Sequence, residues 1–355
     1  MMTINFIMNS ISDAHINKRI SEFIQKGYDV KLYGFERNNK NTYKKDISVI
    51  GTFSNTLPYF KRVTIYYKGI RKLFKKNTVN SGIWYYQGLD VALFATLFNK
   101  NKKYIYEECD LVHTNVHNAI LRSILEWLDK RIIANSLKTV ITSEGFVEYH
   151  YGNKKYKKDN IVIIPNKLSP EIINFPHEAN KNFNNNCIRF AFIGGIRYKS
   201  LLSIADAITR KFSNHEFHFY GFISPVISEE ELPKNSNIFY HGSFKSPNDL
   251  SEIYSNVDVV VSTYDTSSPN VKYAEPNKLY ESIYFRCPIL VSRNTYLEKK
   301  VLRLGIGYSV DPYNEEDIIN TVKLIEEDYL NKKKALELIK QTDVLDENNV
   351  NKILK

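Results

Sequence analysis

Short apolar runs of strand character alternate with segments of helical period along the 355 residues, pause once, and then begin again. Strands bounded in this way need crossover connections to lie parallel, and helices are the usual crossover, so the alternation restricts the chain to layered α/β architecture with mainly parallel sheets. The first series predicts strands at 3–8, 29–33, 83–86, 104–106, 139–141 and 161–164. Between the first two, residues 12–26 read as a helix: Asp13 can cap it, Ile16, Ile20, Phe23 and Ile24 form an apolar stripe, and Gly27 ends it. Periodicity stops at 165–186, where Pro170, Pro176 and an Asn-rich run intervene. The second series predicts strands at 188–193, 216–220, 238–240, 257–261 and 288–291, with helices at 200–212, 248–255, 315–329 and 332–341. A chain of this length exceeds one hydrophobic core, so two domains are expected: 1–165, a linker at 166–187, 188–342, and a polar tail at 343–355.

Composition bounds the partners. The chain is 43% hydrophobic, enough for two cores, yet no apolar run reaches the roughly 18 residues of a membrane span. Residues 3–8 read as a first buried strand rather than a secretion signal, because a basic leader and a small-residue cleavage site are missing. Cys109, Cys187 and Cys287 are odd in number and far apart, which points to a reducing cytoplasm and away from disulfides or zinc. His113 and His117 are four residues apart, but no glutamate accompanies them in the zinc-hydrolase pattern. Charge is uneven: residues 1–165 hold 26 Lys and Arg against 14 Asp and Glu, leaving 23 against 25 of the totals beyond them. Much of the excess lies at 59–77, where seven Lys and Arg are interleaved with Tyr59, Phe60, Tyr66, Tyr67 and Phe74, as suits an anionic membrane surface. Nucleic acid is not expected, since no recognition motif accompanies the patch.

Residues 275–292, EPNKLYESIYFRCPILVS, place a proline-started helix between two apolar strands. Pro276 suits the first helical position, and the free amide hydrogens of the first turn face whatever lies beyond the strand ends, a geometry that attracts phosphate. Asn277 and Glu281 share one helix face, while Leu279 and Ile283 can pack on the sheet. As a surface feature, Lys278 and Glu281 would be an ordinary pair three residues apart.

In sequence order the chain carries SDAHINKRISEFIQKGYDVKLY at 12–33, IIPN at 163–166, FAFIGG at 190–195 followed by Arg197 and Lys199, YSNVDVV at 254–260, PNKLYE at 276–281 and GIGYSVDPYNEEDI at 305–318. This ordered set resembles the glycosyltransferases of the GT-B fold, most closely family 4. The resemblance implies two Rossmann-like domains facing a cleft, the first for an acceptor and the second for a nucleoside-diphosphate sugar. Glu281 falls where these enzymes hold the two ribose hydroxyls, and Lys199 matches the lysine that contacts the donor diphosphate, with Arg197 as its neighbour. Gly194 and Gly195 would let backbone approach the phosphates, and Pro276, Asn277, Lys278 and Glu275 complete the donor contacts.

The departures matter equally. Eight residues before Glu281 the family places a second glutamate, whereas this chain has Tyr273, with Glu275 out of register. At 106–111, YEECDL, Cys109 stands where a family histidine precedes the aspartate, leaving Glu108 and Asp110 as polar groups toward the acceptor and His15 as a further candidate. The implied reaction moves a sugar, expected from a UDP-sugar, to a saccharide or polyprenyl-diphosphate-linked acceptor in surface polysaccharide assembly. It proceeds with retention and with no cofactor or metal, Lys199, Arg197 and Asp110 doing the catalytic work. A cytoplasmic enzyme at the inner face of the plasma membrane is expected. A nucleotide-sugar epimerase of the same architecture and a non-catalytic binding protein are the alternatives.

Overall fold

The computed structural model describes residues 2–38, 46–76, 82–99, 103–152, 160–175 and 183–355. The chain divides into two compact units, Met1–Pro165 with Asn348–Lys355, and Asn166–Glu347. Pro176, with the rest of 176–182, and Asn77 lie outside the described residues.

Unit 1 is built on seven parallel strands, β1 (Thr3–Met8), β2 (Asp29–Arg37), β3 (Ile47–Phe53), β4 (Ile83–Gln87), β5 (Tyr104–Glu108), β6 (Lys138–Ile141) and β7 (Ile161–Ile163), in the order β3-β2-β1-β4-β5-β6-β7. Both faces of the sheet are covered. Ile7, Trp84, Tyr86, Tyr104 and Tyr106 pack on one side, Ile4, Phe6, Met8, Tyr85 and Ile105 on the other, as the two-residue pleat requires. Helix Ala14–Gln25 crosses from β1 to β2; Asp13 caps it through the His15 and Ile16 amides, and Gly27 beyond it takes φ +81°. The basic segment forms helix Tyr59–Lys76, which buries Tyr66, Ile70 and Leu73 and leaves Lys61, Lys68, Arg71, Lys72 and Lys75 exposed.

Unit 2 holds six parallel strands, β8 (Arg189–Ile193), β9 (Glu216–Tyr220), β10 (Ile238–Gly242), β11 (Val259–Ser262), β12 (Ile289–Ser292) and β13 (Gly307–Val310), in the order β10-β9-β8-β11-β12-β13. Along β8, Phe190 and Phe192 enter one core while Ala191 and Ile193 enter the other, so helices cover both faces here too.

Four expectations need correction. Pro276 caps its helix instead of opening it: the helix is Asn277–Tyr284, and Pro276 has extended backbone at ψ 154°. The two helices expected at 315–341 are a single one, Glu315–Glu337, since neither proline nor glycine breaks it. The start of the expected linker belongs to unit 2, because Leu168 bridges Leu345 and Pro170–Asn174 forms a 3-10 turn. The polar tail ends in helix Val350–Leu354, whose Val350 and Ile353 are fully buried in the unit 1 core beside Ile16 and Phe23.

Candidate functional site

Strand order reverses direction in unit 2 between β8 and β11, and in such open parallel sheets ligands bind outside the strand ends at that point. Gly194, just past β8, takes φ +144° while its amide donates to Tyr220 O at 2.7 Å. A side chain there would put its Cβ 3.1 Å from Nζ of Lys278. That ammonium lies 4.3 Å from the centre of the Phe192 ring and donates to the Tyr264 hydroxyl, just past β11, at 3.3 Å. Lys278 therefore reaches back from its helix into the crevice where β8 and β11 part. A cation held against two aromatic rings, beside bare glycine backbone, is a receptor for an anion.

One helical turn further, Glu281 is half-buried and its Oε2 accepts from the Tyr254 hydroxyl at 2.9 Å. Burial pushes its carboxyl up, and Lys278 and Tyr254 offset only part of that rise. An ionised carboxylate accepts at about four lone-pair positions, so Tyr254 leaves capacity for two further hydroxyls. Asn277 is exposed on the first turn of the same helix. Glu275 does not join them. It is buried, one oxygen accepting from Tyr280 and the other held by Lys300 at 2.8 Å, so the donor contact expected of it is taken up internally.

Arg197 and Lys199 stand at the exposed edge. Arg197 lies over the Tyr198 ring at 5.1 Å, and Lys199 opens helix Lys199–Lys211 and pairs with Glu231 at 2.7 Å. The Lys199 bond leads the causes holding the Glu231 carboxyl at about 2. Asp265 accepts from the Ser200 amide at 3.1 Å, so this helix start already faces a carboxylate. Phe192, Tyr254, Tyr264 and Asp265 escaped the sequence reading, because aromatic and acidic residues at strand ends carry no distinctive spacing.

In unit 1 the order reverses between β1 and β4. The Asn9 amide donates to Gln87 Oε1 at 3.1 Å, and Gln87 donates to Asp13 at 2.8 Å. His15 Nε2 lies 2.8 Å from Oε1 of Glu107, whose Oε2 accepts from Tyr85 at 2.7 Å and whose carboxylate lies 3.7 Å from Arg19. Burial alone would raise the Glu107 carboxyl, but His15, Arg19 and Tyr85 outweigh it and hold it at about 2. For His15, burial works downward, yet Glu107 prevails and the imidazole ends up raised.

Sequence reasoning chose the wrong glutamate of the YEECDL segment. Successive β5 residues point to opposite faces, so Glu107 turns to His15 while Glu108 is fully buried against His150 Nε2 at 2.9 Å. Glu108 cannot meet an acceptor there. Asp110, beyond the strand, is exposed. Among the described residues, two groups have ligand atoms mutually within 4.8 Å, as a metal would need: His15 with Glu107 and Cys109, and Glu108 with Asp129 and His150.

Residues 197–343 match the model of the family described as Glycosyl transferases group 1, all within unit 2. Sucrose-phosphate synthase from Thermosynechococcus elongatus is similar over 95% of this chain and 94% of its own, at TM-score 0.67 and 14% identity. WaaG, a glycosyltransferase involved in lipopolysaccharide biosynthesis, superposes at TM-score 0.64 with 12% identity, over 96% of this chain and 97% of its own. HepE from Anabaena, in complex with UDP, does so at TM-score 0.64 with 11% identity, over 99% and 98% respectively. No curated protein sequence matches the chain. The fold is thus that of the GT-B glycosyltransferases. The group 1 family match lies wholly in the second unit of that fold.

Proposed function

We propose that unit 2 binds a UDP-sugar and that the enzyme moves the sugar, with retention at the anomeric carbon, to a saccharide or lipid-linked acceptor in surface polysaccharide assembly. The observation that carries this reading is the meeting of Lys278 with Gly194 at the β8–β11 crevice, one turn from Glu281. Glu281 accepts from the ribose hydroxyls, and Lys278 takes the diphosphate. The UDP in the HepE complex supports the choice of uridine.

Breaking the bond between the anomeric carbon and the phosphate oxygen leaves negative charge on the diphosphate. Lys278, half-buried between aromatic rings, meets that charge with little screening, whereas Arg197 and Lys199 reach it from solvent. Lys199 exchanges Glu231 for phosphate when the donor arrives. Unit 1 takes the acceptor, through His15, which buried Glu107 orients, and the exposed Asp110. The basic helix Tyr59–Lys76 holds the enzyme at the cytoplasmic face of the membrane.

Titration calorimetry with UDP-glucose and with GDP-mannose tests the donor choice. Micromolar to millimolar binding of the uridine compound is expected, and Glu281→Gln should weaken it roughly 10- to 100-fold, the worth of charge-assisted hydrogen bonds. Equal affinity of wild type and variant would remove Glu281 from the site. Incubation of the donor without acceptor separates an epimerase, which would yield a second nucleotide sugar, from a transferase, which yields at most slow hydrolysis.

A further inference from the structure

Four ionisable side chains from four elements of unit 1 converge in its interior: Glu108 from the end of β5, His113 from the 3-10 turn Val112–Asn115, Asp129 from helix Ala119–Asn135 and His150 from helix Glu144–Tyr151. Their exposures are 0%, 0%, 1% and 6%. We propose that Glu108, Asp129 and His150, with His113 completing the set, hold a zinc ion that ties these elements together.

Charge is the first argument. Among the described residues, the ion-pair partners of Glu108 and Asp129 are the histidines His150 and His113, neither lysine nor arginine, and two carboxylates cannot both stay ionised at such depth without a compensating positive charge. Geometry is the second. Ligand atoms of Glu108, Asp129 and His150 lie within 4.8 Å of one another, and His150 Nε2 approaches Glu108 at 2.9 Å. His113 Nδ1 and Asp129 Oδ2 are 3.2 Å apart, yet neither has a hydrogen-bond partner. Two buried polar atoms that close and so misaligned are what adjacent ligands of one ion present, since tetrahedral zinc separates its ligands by about 3.3 Å.

The outer contacts fit as well. Tyr106 donates to Asp129 Oδ1 at 2.9 Å, and His113 Nε2 lies 3.2 Å from the Tyr149 hydroxyl, which holds the ring with Nδ1 toward Asp129. Two imidazoles and two carboxylates suit zinc, and complete burial makes the site structural, since no position opens to substrate. The other grouping, His15 with Glu107 and Cys109, already has Arg19 as its cation. Ligands at 108, 113, 129 and 150 follow no spacing that a sequence would reveal.

The test uses the full chain, purified without a histidine tag, with metal content measured by plasma mass spectrometry. About one zinc per chain is expected. Stripping by a chelator should lower the melting temperature, and added Zn²⁺ should restore it. Asp129→Asn and His150→Gln should each weaken zinc binding roughly tenfold or more. A wild-type chain that carries only traces of metal and does not respond to Zn²⁺ would overturn the proposal, whether or not the variants fold. So would zinc that survives Asp129→Asn but is lost in Cys109→Ser.

Discussion

The contact between His15 and Glu107 makes the two ends of a pH scale meet in one place. The imidazole is raised above 6.5, so the stability it contributes is complete below that value and is lost as pH rises through the folded pKa. Glu107 is lowered from 4.5 to about 2, so its share is present above 4.5 and is lost as pH falls through about 2. The pair therefore supports unit 1 most between about 4.5 and 6.5. Nuclear magnetic resonance of the imidazole should give a titration midpoint above 6.5 in the wild type, and Glu107→Gln should bring it down. A wild-type midpoint at or below 6.5 would mean that the 2.8 Å contact does not persist in solution. Neighbouring Glu108 shows why such partners were hard to read in advance. The two glutamates are adjacent in sequence and equivalent in chemistry, and only the pleat of β5 sends one to His15 and the other to His150.

At the scale of elements, the turn after β8 joins backbone conformation to the donor site. Gly194 at φ +144° occupies backbone space that other residues reach only under strain, about 1–3 kcal/mol, and a methyl there would also crowd Lys278 at 3.1 Å. Gly195 differs: its Cβ would meet the Phe222 ring at 2.9 Å, but that ring is 60% exposed and can swing aside. Gly194→Ala should thus lower both melting temperature and donor affinity, while Gly195→Ala should change either only mildly; thermal unfolding and calorimetry side by side decide, and equal effects would refute the assignment. The alternation of strands and helices, the Asp13 cap and the Asn277–Tyr284 helix were all legible, because each is set by residues within a few positions of one another. What lay hidden depends on distant chain. Val350 and Ile353 look like sparse apolar residues in a polar tail until the Ile16 and Phe23 core receives them, and Glu275 looks available until Lys300 arrives from the next helix.

For the molecule as a whole, charge and exposed apolar surface coincide in unit 1. Helices Tyr59–Lys76, Leu89–Phe98 and Ala119–Asn135 pack side by side in one layer, with Tyr67 against Phe94 and Phe98 at 5.7 and 5.5 Å. The first presents its basic face. The others expose Leu97 at 69%, Ile120 at 74%, Ile124 at 48% and Trp127 at 57%, flanked by Arg122, Lys130 and Arg131. Among the described residues no helix is long and apolar enough to cross a membrane. Each Lys or Arg near an anionic surface contributes about 1 kcal/mol, a sum that salt should largely remove. The chain has two tryptophans, and the other, Trp84, is 2% exposed, so Trp127 reports contact by itself. Vesicles containing phosphatidylglycerol should shift its emission to the blue and carry the protein upward in flotation, whereas neutral vesicles should do neither. Replacing Lys68, Arg71 and Lys72 with glutamate should abolish flotation while leaving UDP-sugar binding in unit 2 intact. Flotation that ignores lipid charge, or an emission that never moves, would mean that this layer meets something other than a membrane.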